Sequence, residues 1–435
     1  MELNGMERIY NLLEKELVIA LGCTEPVAIS LAAATAKKYT KKNVTSISVS
    51  ASGNVIKNAL SVGIPGMSFT GIDFTAALGV VAGDASKQLR VLEGVTKADE
   101  EAAIQLVREG KVRVETADTP EKLYIEVNLE TLTEKIKVII SGDHTNVSYI
   151  SVNGEVLLDQ SDTMKSIPQK QEKFPELSVD DLYTFVTEVP LNKLELVKSS
   201  VELNRAICEE GLSNDYGLKV GKTLYDQTKT GILSDDLATY SMALSAAGSD
   251  ARMAGSTMPV MANSGSGNQG IAVTMPVVAA AEKIGATEEK MLRAVTLSHL
   301  LSIYMKSKFG RLSALCGVTV AGASASAAIT YLLSDDLNKI KAAIQNTLGN
   351  VSGMVCDGAK AGCAMKVATC SSAAVQSAIL ASQGLCIPST NGFIEEDVER
   401  TIENFCRLGN ETSGTTDKVL LDMMVNKKSP QKANS

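Results

Sequence analysis

Three cysteines in the second half of the chain have the residue type and grouping to bind a metal cluster. Cys316 lies in SALCGVTVAG, and Cys356 and Cys363 lie in GMVCDGAKAGC. Three thiolates can hold an iron–sulfur cluster and leave one iron without a protein ligand, and that iron can act as a Lewis acid on a substrate. Spacing alone favours another interpretation, in which all three are small buried hydrophobes, because C-x6-C is neither a zinc-ribbon nor a ferredoxin spacing.

A further cysteine, Cys23, stands in GCTEP directly before a predicted helix that has Pro26 in its first turn. The N-terminus of a helix carries partial positive charge, which lowers the pKa of a thiol placed there. Cys23 is therefore a candidate base or nucleophile, although an ordinary residue in a turn between helices explains the position equally well. The remaining cysteines have apolar, helical neighbours and are predicted to be core residues: Cys208, Cys370, Cys386 and Cys406.

The segment NSGSGNQG, residues 263–270, opens an apolar predicted helix. Its glycines would let the backbone approach a ligand, and N–H groups that point at one spot suit a carboxylate or phosphate. Ser264, Ser266 and Asn268 could add side-chain donors, so we interpret the segment as an anion-binding loop in preference to a plain glycine turn. It is neither a dinucleotide fingerprint nor a Walker loop, which argues against a nucleotide ligand.

A second polar group lies in GNVIKN, where Asn54, Lys57 and Asn58 could contact a small zwitterion. A solvated turn with a surface lysine is the alternative that the sequence alone favours. Only two histidines are present, which excludes most histidine-based metal sites. His299 is predicted to pack within an amphipathic helix, and His144 to be exposed in a turn of a sheet.

Composition restricts the partners that the protein can have. The 435 residues carry a net charge of −8 without a basic stripe, which argues against nucleic acid. The acidic N-terminus shows no signal-peptide pattern, so eight cysteines indicate reduced thiols and a cytoplasmic location. The uncharged runs 257–281 and 313–333 contain many small polar residues and are predicted to be core, not membrane spans. The amount of apolar helix predicts a homo-oligomer, at least a dimer.

Hydrophobic periodicity predicts an α+β fold that is mainly helical. Two helices are expected in residues 1–42, helices again in 68–110, and helices almost throughout from Ser178, which has the residue type of a helix cap. Residues 44–52 alternate and are predicted to form a strand. Further alternating segments predict a small antiparallel sheet: 111–116, 123–129, 135–141 and 146–152. The simplest organisation is a helical catalytic domain of residues 1–42 and 178–435. An α+β domain of residues 43–177 is inserted in it and includes a linker over 160–177, and the tail from Asn426 is predicted to be disordered.

Four motifs in order, GCTEP, GNVIKNA, NSGSGNQG and CDGAKAGC, resemble the iron–sulfur L-cysteine desulfidases and the wider L-serine dehydratase α-chain-like proteins. The resemblance covers essentially the whole chain. It implies a 4Fe–4S cluster held by Cys316, Cys356 and Cys363, and Cys23 as the catalytic proton acceptor. Such a cluster is commonly sensitive to oxygen and can be lost from protein prepared in air.

The resemblance also implies a reaction, α,β-elimination from an amino acid. We expect L-cysteine to give pyruvate, ammonia and hydrogen sulfide, with L-serine dehydration as the alternative substrate choice. The 263–270 loop would hold the carboxylate while Cys23 takes the α-proton. This hypothesis expects the sulfur atoms at 316, 356 and 363 to converge and to face Cys23 across a pocket.

Three other interpretations remain open at this point. A pyridoxal phosphate enzyme could perform the same elimination, but no lysine motif for a Schiff base precedes the serine- and glycine-rich loop in a parallel-sheet context. The protein could instead bind or sense an amino acid without turnover. The cysteines could also bind zinc or no metal at all.

Overall fold

The structure is a computed structural model that describes residues 3–160, 177–309 and 314–427. The predicted linker, apart from its two ends, and nearly all of the predicted disordered tail lie outside those residues. The helices are, in chain order, α1 (Leu3–Glu16), α2 (Thr24–Lys37), α3 (Gly53–Ala59), α4 (Ile72–Ala82), α5 (Lys97–Arg108), α6 (Val179–Glu188), α7 (Glu195–Ser213), α8 (Val220–Lys229), α9 (Leu237–Met253), α10 (Gly267–Ile284), α11 (Glu288–Phe309), α12 (Gly317–Leu333), α13 (Leu337–Val351), α14 (Cys363–Ser382) and α15 (Val398–Val425).

The strands are β1 (Leu17–Ala20), β2 (Ser46–Ala51), β3 (Val112–Thr116), β4 (Tyr124–Glu130), β5 (Lys135–Ser141), β6 (Val147–Val152), β7 (Glu155–Asp159) and β8 (Val260–Asn263). The chain forms two compact units. The helical unit comprises Met1–Gly22, Glu172–Cys356 and Ala361–Glu411. The sheet unit comprises Cys23–Gln171, Asp357–Lys360 and Thr412–Ser435. The prediction of a mainly helical α+β fold is confirmed.

Close helix contacts in the helical unit depend on residues without side chains. A Cβ added to Gly211 of α7 would lie 2.0 Å from the carbonyl oxygen of Ala247 in α9, and one added to Gly221 of α8 would lie 2.2 Å from its amide nitrogen. Two neighbouring helices therefore reach the backbone of α9 at one residue. Larger side chains also pack within the unit, where the rings of Phe309 and Phe405 stack with centroids 5.2 Å apart.

The start of α6 confirms a helix signal that the sequence carries. Ser178 is the N-cap, and its side chain accepts from the backbone N–H of Asp181 while the Asp181 carboxylate accepts from the N–H of Ser178. This capping box satisfies two N–H groups that would otherwise lack partners. The small sheet of β1 paired with β8 was not predicted, because residues 1–42 were interpreted as helices joined by a turn.

The sheet unit contains one six-stranded sheet in the order β3-β2-β4-β5-β6-β7. It is antiparallel except for β2 and β3, which are parallel because the helices between them form a crossover connection. The sequence analysis expected antiparallel strands only, since alternation does not encode direction. It also missed β7, which follows β6 through a turn with Asn153 and Gly154 at positive φ.

Helix α2 belongs to the sheet unit, whereas the sequence analysis placed residues 1–42 with the helical domain. Its apolar residues share a core with the strands, as Ile29 and Leu31 do with Val49 and Val127. This burial explains why α2 groups with the sheet. The predicted domain boundaries at residues 42 and 178 differ from the compact units here and at the C-terminal end of α15.

One described helix, α14, is long and apolar enough to cross a membrane by length and composition alone. Within the protein, 56% of that helix window is buried, as in a core helix. The helices in the two runs that the sequence analysis had singled out, α10 and α12, are buried along most of their length.

Candidate functional site

Cys316 and Cys356 lie together in the helical unit because two short segments pair there. Leu315 and Val355 form an antiparallel bridge, the N–H of Cys316 donates to the carbonyl of Met354 at 2.8 Å, and the N–H of Cys356 donates to a carbonyl at 2.7 Å. Cys316 therefore lies opposite Met354, and Cys356 follows Met354 by two residues. Because residues two apart on a strand point to the same face, both thiols share a face. A hydrogen bond between these thiols, and then burial, raises the pKa of Cys316 well above its usual range.

Cys363, which is half-buried, is the first residue of α14, and buried residues further along this helix pack beside the thiol pair. Cys370 lies seven residues later and so on the same face of the helix, and its Sγ is 4.0 Å from the Sδ of Met354. Val367, between them, shares an apolar cluster with Cys316 and Cys370. The helix therefore carries Cys363 on the face that packs against the thiol pair. Burial raises the pKa of Cys370 to about 12, so this thiol stays protonated.

The three predicted ligands fit an iron–sulfur cluster in donor type but are not gathered as a set. In the part of the chain that the structure describes, no group of three or more cysteine, histidine, aspartate or glutamate residues is close enough to hold a metal ion. Two thiols are in contact, and the third begins a helix on the facing side. The ligand set of Cys316, Cys356 and Cys363 remains a prediction.

The predicted anion-binding loop lies next to the thiol pair. Cys316 is the N-cap of α12, and a Cβ on Gly317 would stand 3.0 Å from Oε1 of Gln269 and 4.0 Å from Nζ of Lys306. Ala272 of α10 belongs to the same apolar cluster as Cys316. The first turns of α10 and α12 are thus neighbours. Each has backbone N–H groups without a partner inside its helix, and these carry partial positive charge.

The loop itself is a tight turn between β8 and α10. Asn263 bridges to Ser266, with Ser264 at φ 49° and Gly265 at φ 79° between them. Left-handed backbone at both central residues is the geometry of a type I′ turn. Ser266 then caps α10 by accepting from the N–H of Gln269 at 3.3 Å.

The other two glycines of the loop have steric reasons of their own. A Cβ on Gly267 would lie 2.3 Å from Nε of Arg252, and one on Gly270 would lie 1.9 Å from the carbonyl oxygen of Met261. Close packing therefore accounts for the glycines, which was the alternative to anion binding. The polar side chains are a separate matter: Ser264 and Asn268 are buried, and Arg252 donates to Oδ1 of Asn268 at 3.4 Å.

His299 is fully buried below the loop, which confirms that it packs within its helix. Its Nε2 lies 3.0 Å from Oγ of Ser200 and 3.2 Å from Oγ1 of Thr274, and its Nδ1 lies 3.1 Å from Nδ2 of Asn263. Both hydroxyls donate to backbone carbonyls. They consequently accept from His299, so Nε2 carries the proton and Nδ1 accepts from Asn263. Burial lowers the pKa of His299 to about 3, which keeps the ring neutral.

Asn263 carries the hydrogen bonds from His299 to the loop. Its Oδ1 accepts from Oγ of Ser264 at 2.9 Å, from Nε2 of Gln269 at 3.3 Å and from Oγ of Ser302 at 3.2 Å. This neutral network fixes the loop from below. Sequence reasoning missed it, since an asparagine that ends a short strand gives no signal that a histidine 36 residues later will bind it.

Cys23 lies in the sheet unit, where it is the N-cap of α2 as the sequence predicts. Its backbone is extended, and the residue is 4% exposed. Glu25, in the first turn, accepts from Nδ2 of Asn58 at 2.9 Å, and its Oε1 is 3.9 Å from Nε2 of His144. His144 is half-buried, not exposed as predicted, because its turn packs toward Glu25. The sequence analysis did not single out Glu25.

Lys57 corrects the interpretation of GNVIKN as a solvated turn. Its side chain is 4% exposed, and Nζ pairs with Oδ1 of Asp417 at 2.7 Å. Its carbonyl accepts from Nζ of Lys360 at 3.1 Å, and a Cβ on Gly358 would lie 2.0 Å from that oxygen. The Asp357–Lys360 segment therefore packs on α3 within the sheet unit. Asn54, on the same helix, is half-buried.

The fold and these residues define a mainly helical α+β protein in which a pair of thiols, one buried and one half-buried, adjoins a serine- and amide-rich loop. The profile described as serine dehydratase alpha chain matches residues 86–422. The chain belongs to the serine dehydratase alpha chain family, which is of the lyase type.

Relatives with similar sequences extend over almost the whole chain. A UPF0597 protein of Oleidesulfovibrio alaskensis is 44% identical over 421 residues, covering 97% of this chain and 98% of the relative. A UPF0597 protein of Shewanella pealeana is 43% identical over 95% of this chain and 97% of its own length. One from Bacteroides thetaiotaomicron is 40% identical over 97% and 98%. The similarity is therefore not confined to one unit.

Proposed function

We propose that this protein is an iron–sulfur-dependent amino-acid lyase that converts L-cysteine to pyruvate, ammonia and hydrogen sulfide by α,β-elimination. Family membership supports a lyase, and one observation supports the cofactor. Cys316 and Cys356 are in contact at the first turn of α12, beside a loop with serine hydroxyls and helix N–H groups. A cluster held by Cys316, Cys356 and Cys363 would supply an iron without a protein ligand and thus a Lewis acid.

The residues of the 263–270 loop have a binding role in this proposal. Helix N–H groups at the start of α10 attract a carboxylate, and the hydroxyl of Ser266 can donate to it. The hydroxyl of Ser264 donates to Oδ1 of Asn263 and would have to turn from that oxygen to donate to a substrate. Asn268 can orient the same group through its side-chain amide. Because the neutral network below fixes the loop, little ordering would be needed when a substrate binds.

Cys23 is the proposed general base. Its thiolate would take the α-proton, and the electrons of the Cα–H bond would form a Cα=Cβ bond as the Cβ–S bond breaks and hydrosulfide leaves. Aminoacrylate tautomerises to an imine, and water hydrolyses the imine to pyruvate and ammonia. Asn54, Lys57 and Asn58 remain proposed binding residues, with Lys57 in an ion pair and Asn58 on Glu25.

L-serine is the second candidate substrate, favoured by the description of the family. The same steps would then release hydroxide. Anaerobic reconstitution with iron and sulfide, followed by parallel pyruvate assays on both amino acids, tests the choice. Higher kcat/KM for L-cysteine supports the proposal, and higher kcat/KM for L-serine supports the alternative. Protein that binds both without releasing pyruvate would contradict a lyase.

A homodimer also belongs to the proposal. Helix α14 exposes apolar side chains, with Met365 at 60%, Ile379 at 48% and Leu380 at 47% exposure. Apolar side chains on one helix are suited to burial against a second copy. Light scattering coupled to size-exclusion chromatography would give the mass in solution, and a monomer at micromolar concentration would contradict this part.

A further inference from the structure

Arg252 is a buried cation that the sequence analysis did not consider. It lies in the last turn of α9 and is 8% exposed. Its guanidinium rests on Gly267, the first residue of α10, where a Cβ would come within 2.3 Å of Nε and 2.8 Å of Cζ. Arg252 therefore occupies the N-terminus of the helix that carries the proposed binding loop.

The described partners of this guanidinium are both neutral. One terminal nitrogen donates to the carbonyl of Gly22 at 2.9 Å, and the other donates to Oδ1 of Asn268 at the long distance of 3.4 Å. Nε is buried and, within the described part of the chain, has no hydrogen-bond partner. An arginine has five N–H donors in a planar fork, so much of its capacity is unused.

The nearest acid in the sequence does not compensate the charge. Asp250 accepts from the N–H of Gly221 at the start of α8 with Oδ2 at 3.0 Å. Burial raises the pKa of Asp250 to about 6, the opposite of what a guanidinium beside it would do. The carboxylate of Asp250 therefore accepts a hydrogen bond from the first turn of α8 and does not pair with Arg252.

A buried cation with neutral partners is an unfavourable arrangement unless an anion joins it. Desolvation of an unpaired charge is costly, and the positive end of α10 adds a partial charge of the same sign. The C-terminal end of α9 offsets part of this. A carboxylate would complete the arrangement, since its two oxygens match the fork of a guanidinium.

We propose that Arg252 is a substrate-binding residue that provides the positive charge for the α-carboxylate of the amino acid, together with the first turn of α10. This inference rests on the proposed function, because it assigns the carboxylate of that substrate to a particular side chain. The 263–270 loop would then supply orientation through hydrogen bonds, and Arg252 would supply the charge that selects an acid over its neutral derivatives.

Two unreactive probes test the assignment, L-alanine and L-alaninamide, titrated calorimetrically into anaerobically reconstituted protein. L-alanine has the carboxylate but no leaving group, and the amide lacks the carboxylate. The wild type should prefer L-alanine by at least about 10-fold, and Arg252→Gln should weaken L-alanine binding about 10- to 100-fold, as expected for loss of a charged hydrogen-bond partner. The preference for L-alanine over the amide should fall to near one.

Two further variants make the test specific. Arg252→Lys keeps the positive charge but lacks the planar guanidinium, so its affinity for L-alanine should fall only several-fold. This variant still tests the assignment if Arg252→Gln does not fold. Arg205→Gln is the matched control, because Arg205 is a partly exposed arginine paired with Glu282. This variant should bind both probes as the wild type does. Iron content and Tm should be recorded for every variant.

The outcomes separate this inference from the proposed function. Unchanged binding in Arg252→Gln, equal loss of both probes, or no preference for L-alanine in the wild type would overturn the role of Arg252. Arginine-dependent L-alanine binding without pyruvate from L-cysteine or L-serine would leave the carboxylate site standing and reject the lyase.

Discussion

The two units hold their candidate residues in chemically different ways. Beneath the loop of the helical unit, the side chains are neutral, and His299, Asn263 and Gln269 satisfy one another. In the sheet unit the corresponding residues include charged side chains, with Lys57 on Asp417 and the Glu25 carboxylate on Asn58. A neutral buried network keeps its geometry across pH and salt, whereas ion pairs respond to both. The candidate residues of the helical unit should therefore keep their geometry across conditions, whereas the charge interactions of the sheet unit should change with pH and salt.

The largest effect should come from the thiol pair. Cys356→Ala removes one of the two thiols in contact, so we expect the reconstituted variant to lose most of its iron and all turnover. Iron and acid-labile sulfide analysis measures this. Cys386→Ala is the matched control and should leave the iron content unchanged, because Cys386 lies outside the pair. The prediction that Cys386 is a core residue is wrong, since the residue is exposed. Full iron in Cys356→Ala would break the ligand assignment.

Cys23→Ser should separate chemistry from metal binding. A serine at the N-cap preserves the start of α2, so the variant should fold and retain its cluster. Without the thiolate, turnover should fall by about 100- to 10,000-fold, the usual contribution of a general base. The measurements are kcat and iron content on one preparation. Normal activity would remove Cys23 from the mechanism.

The neutral network predicts that two replacements of one histidine differ. His299→Asn can place an oxygen near the position of Nδ1, where it still accepts from Asn263. His299→Gln keeps a donor for Ser200 and Thr274 but removes the ring acceptor of Asn263 Nδ2, which then keeps only the backbone carbonyl of residue 299. We expect the glutamine variant to be less stable than the asparagine variant by about 1–3 kcal/mol, the cost of a buried unsatisfied group. Urea unfolding measures the difference, and equal stabilities would contradict the importance of the Asn263 contact.

Acid should weaken the wild type partly through the same histidine. The folded pKa of His299 is about 3, whereas an unfolded histidine titrates near 6.5, so protons bind the unfolded chain preferentially below pH 6.5. Between pH 7.5 and 5.5 the free energy of unfolding should fall by about 1 kcal/mol from this group. His299→Asn should lose that component in a pH series of urea unfolding curves. Parallel curves for both proteins would show that His299 contributes none of the slope.

The smallest effect concerns the ion pair of the sheet unit. Lys57→Met removes the charge and leaves Asp417 unpaired, with an expected loss of about 1 kcal/mol because the Asp417 side chain is 24% exposed. The loss should shrink in 1 M salt. Lys135→Met, which breaks an exposed pair with Glu130, should change stability by much less. A salt-independent loss in Lys57→Met would point to packing and not to charge.

Local signals in the sequence predicted local structure well. Ser178 before two aspartates gave the start of α6, and alternation gave strands β2, β4, β5 and β6 close to their observed bounds. The direction of β3 could not be predicted in this way, because it depends on how the intervening helices cross the sheet. The strand pair β1–β8 could not be predicted either, because its strands are distant in sequence and each is only four residues long.

The site was predictable in residue type and less so in contact. Residue type and the family resemblance identified Cys316 and Cys356 as candidates, whereas their spacing alone favoured buried hydrophobes. Only the folded chain brings them to one ladder. Lys57 was interpreted as exposed because its partner Asp417 lies 360 residues later. Arg252 gave no signal, since an arginine in the last turn of a helix is ordinary and its burial depends on Gly267 of another helix. The sequence alone therefore did not reveal the long-range partners of buried charged residues.

The glycines at 211 and 221 leave no room for a side chain between α9 and the two helices beside it. Both bring a neighbouring backbone against Ala247, so even one methyl group at either position would push a whole helix outward. In a saturation mutagenesis library selected for folded protein, these two codons should tolerate almost nothing else, although neither residue belongs to the proposed site.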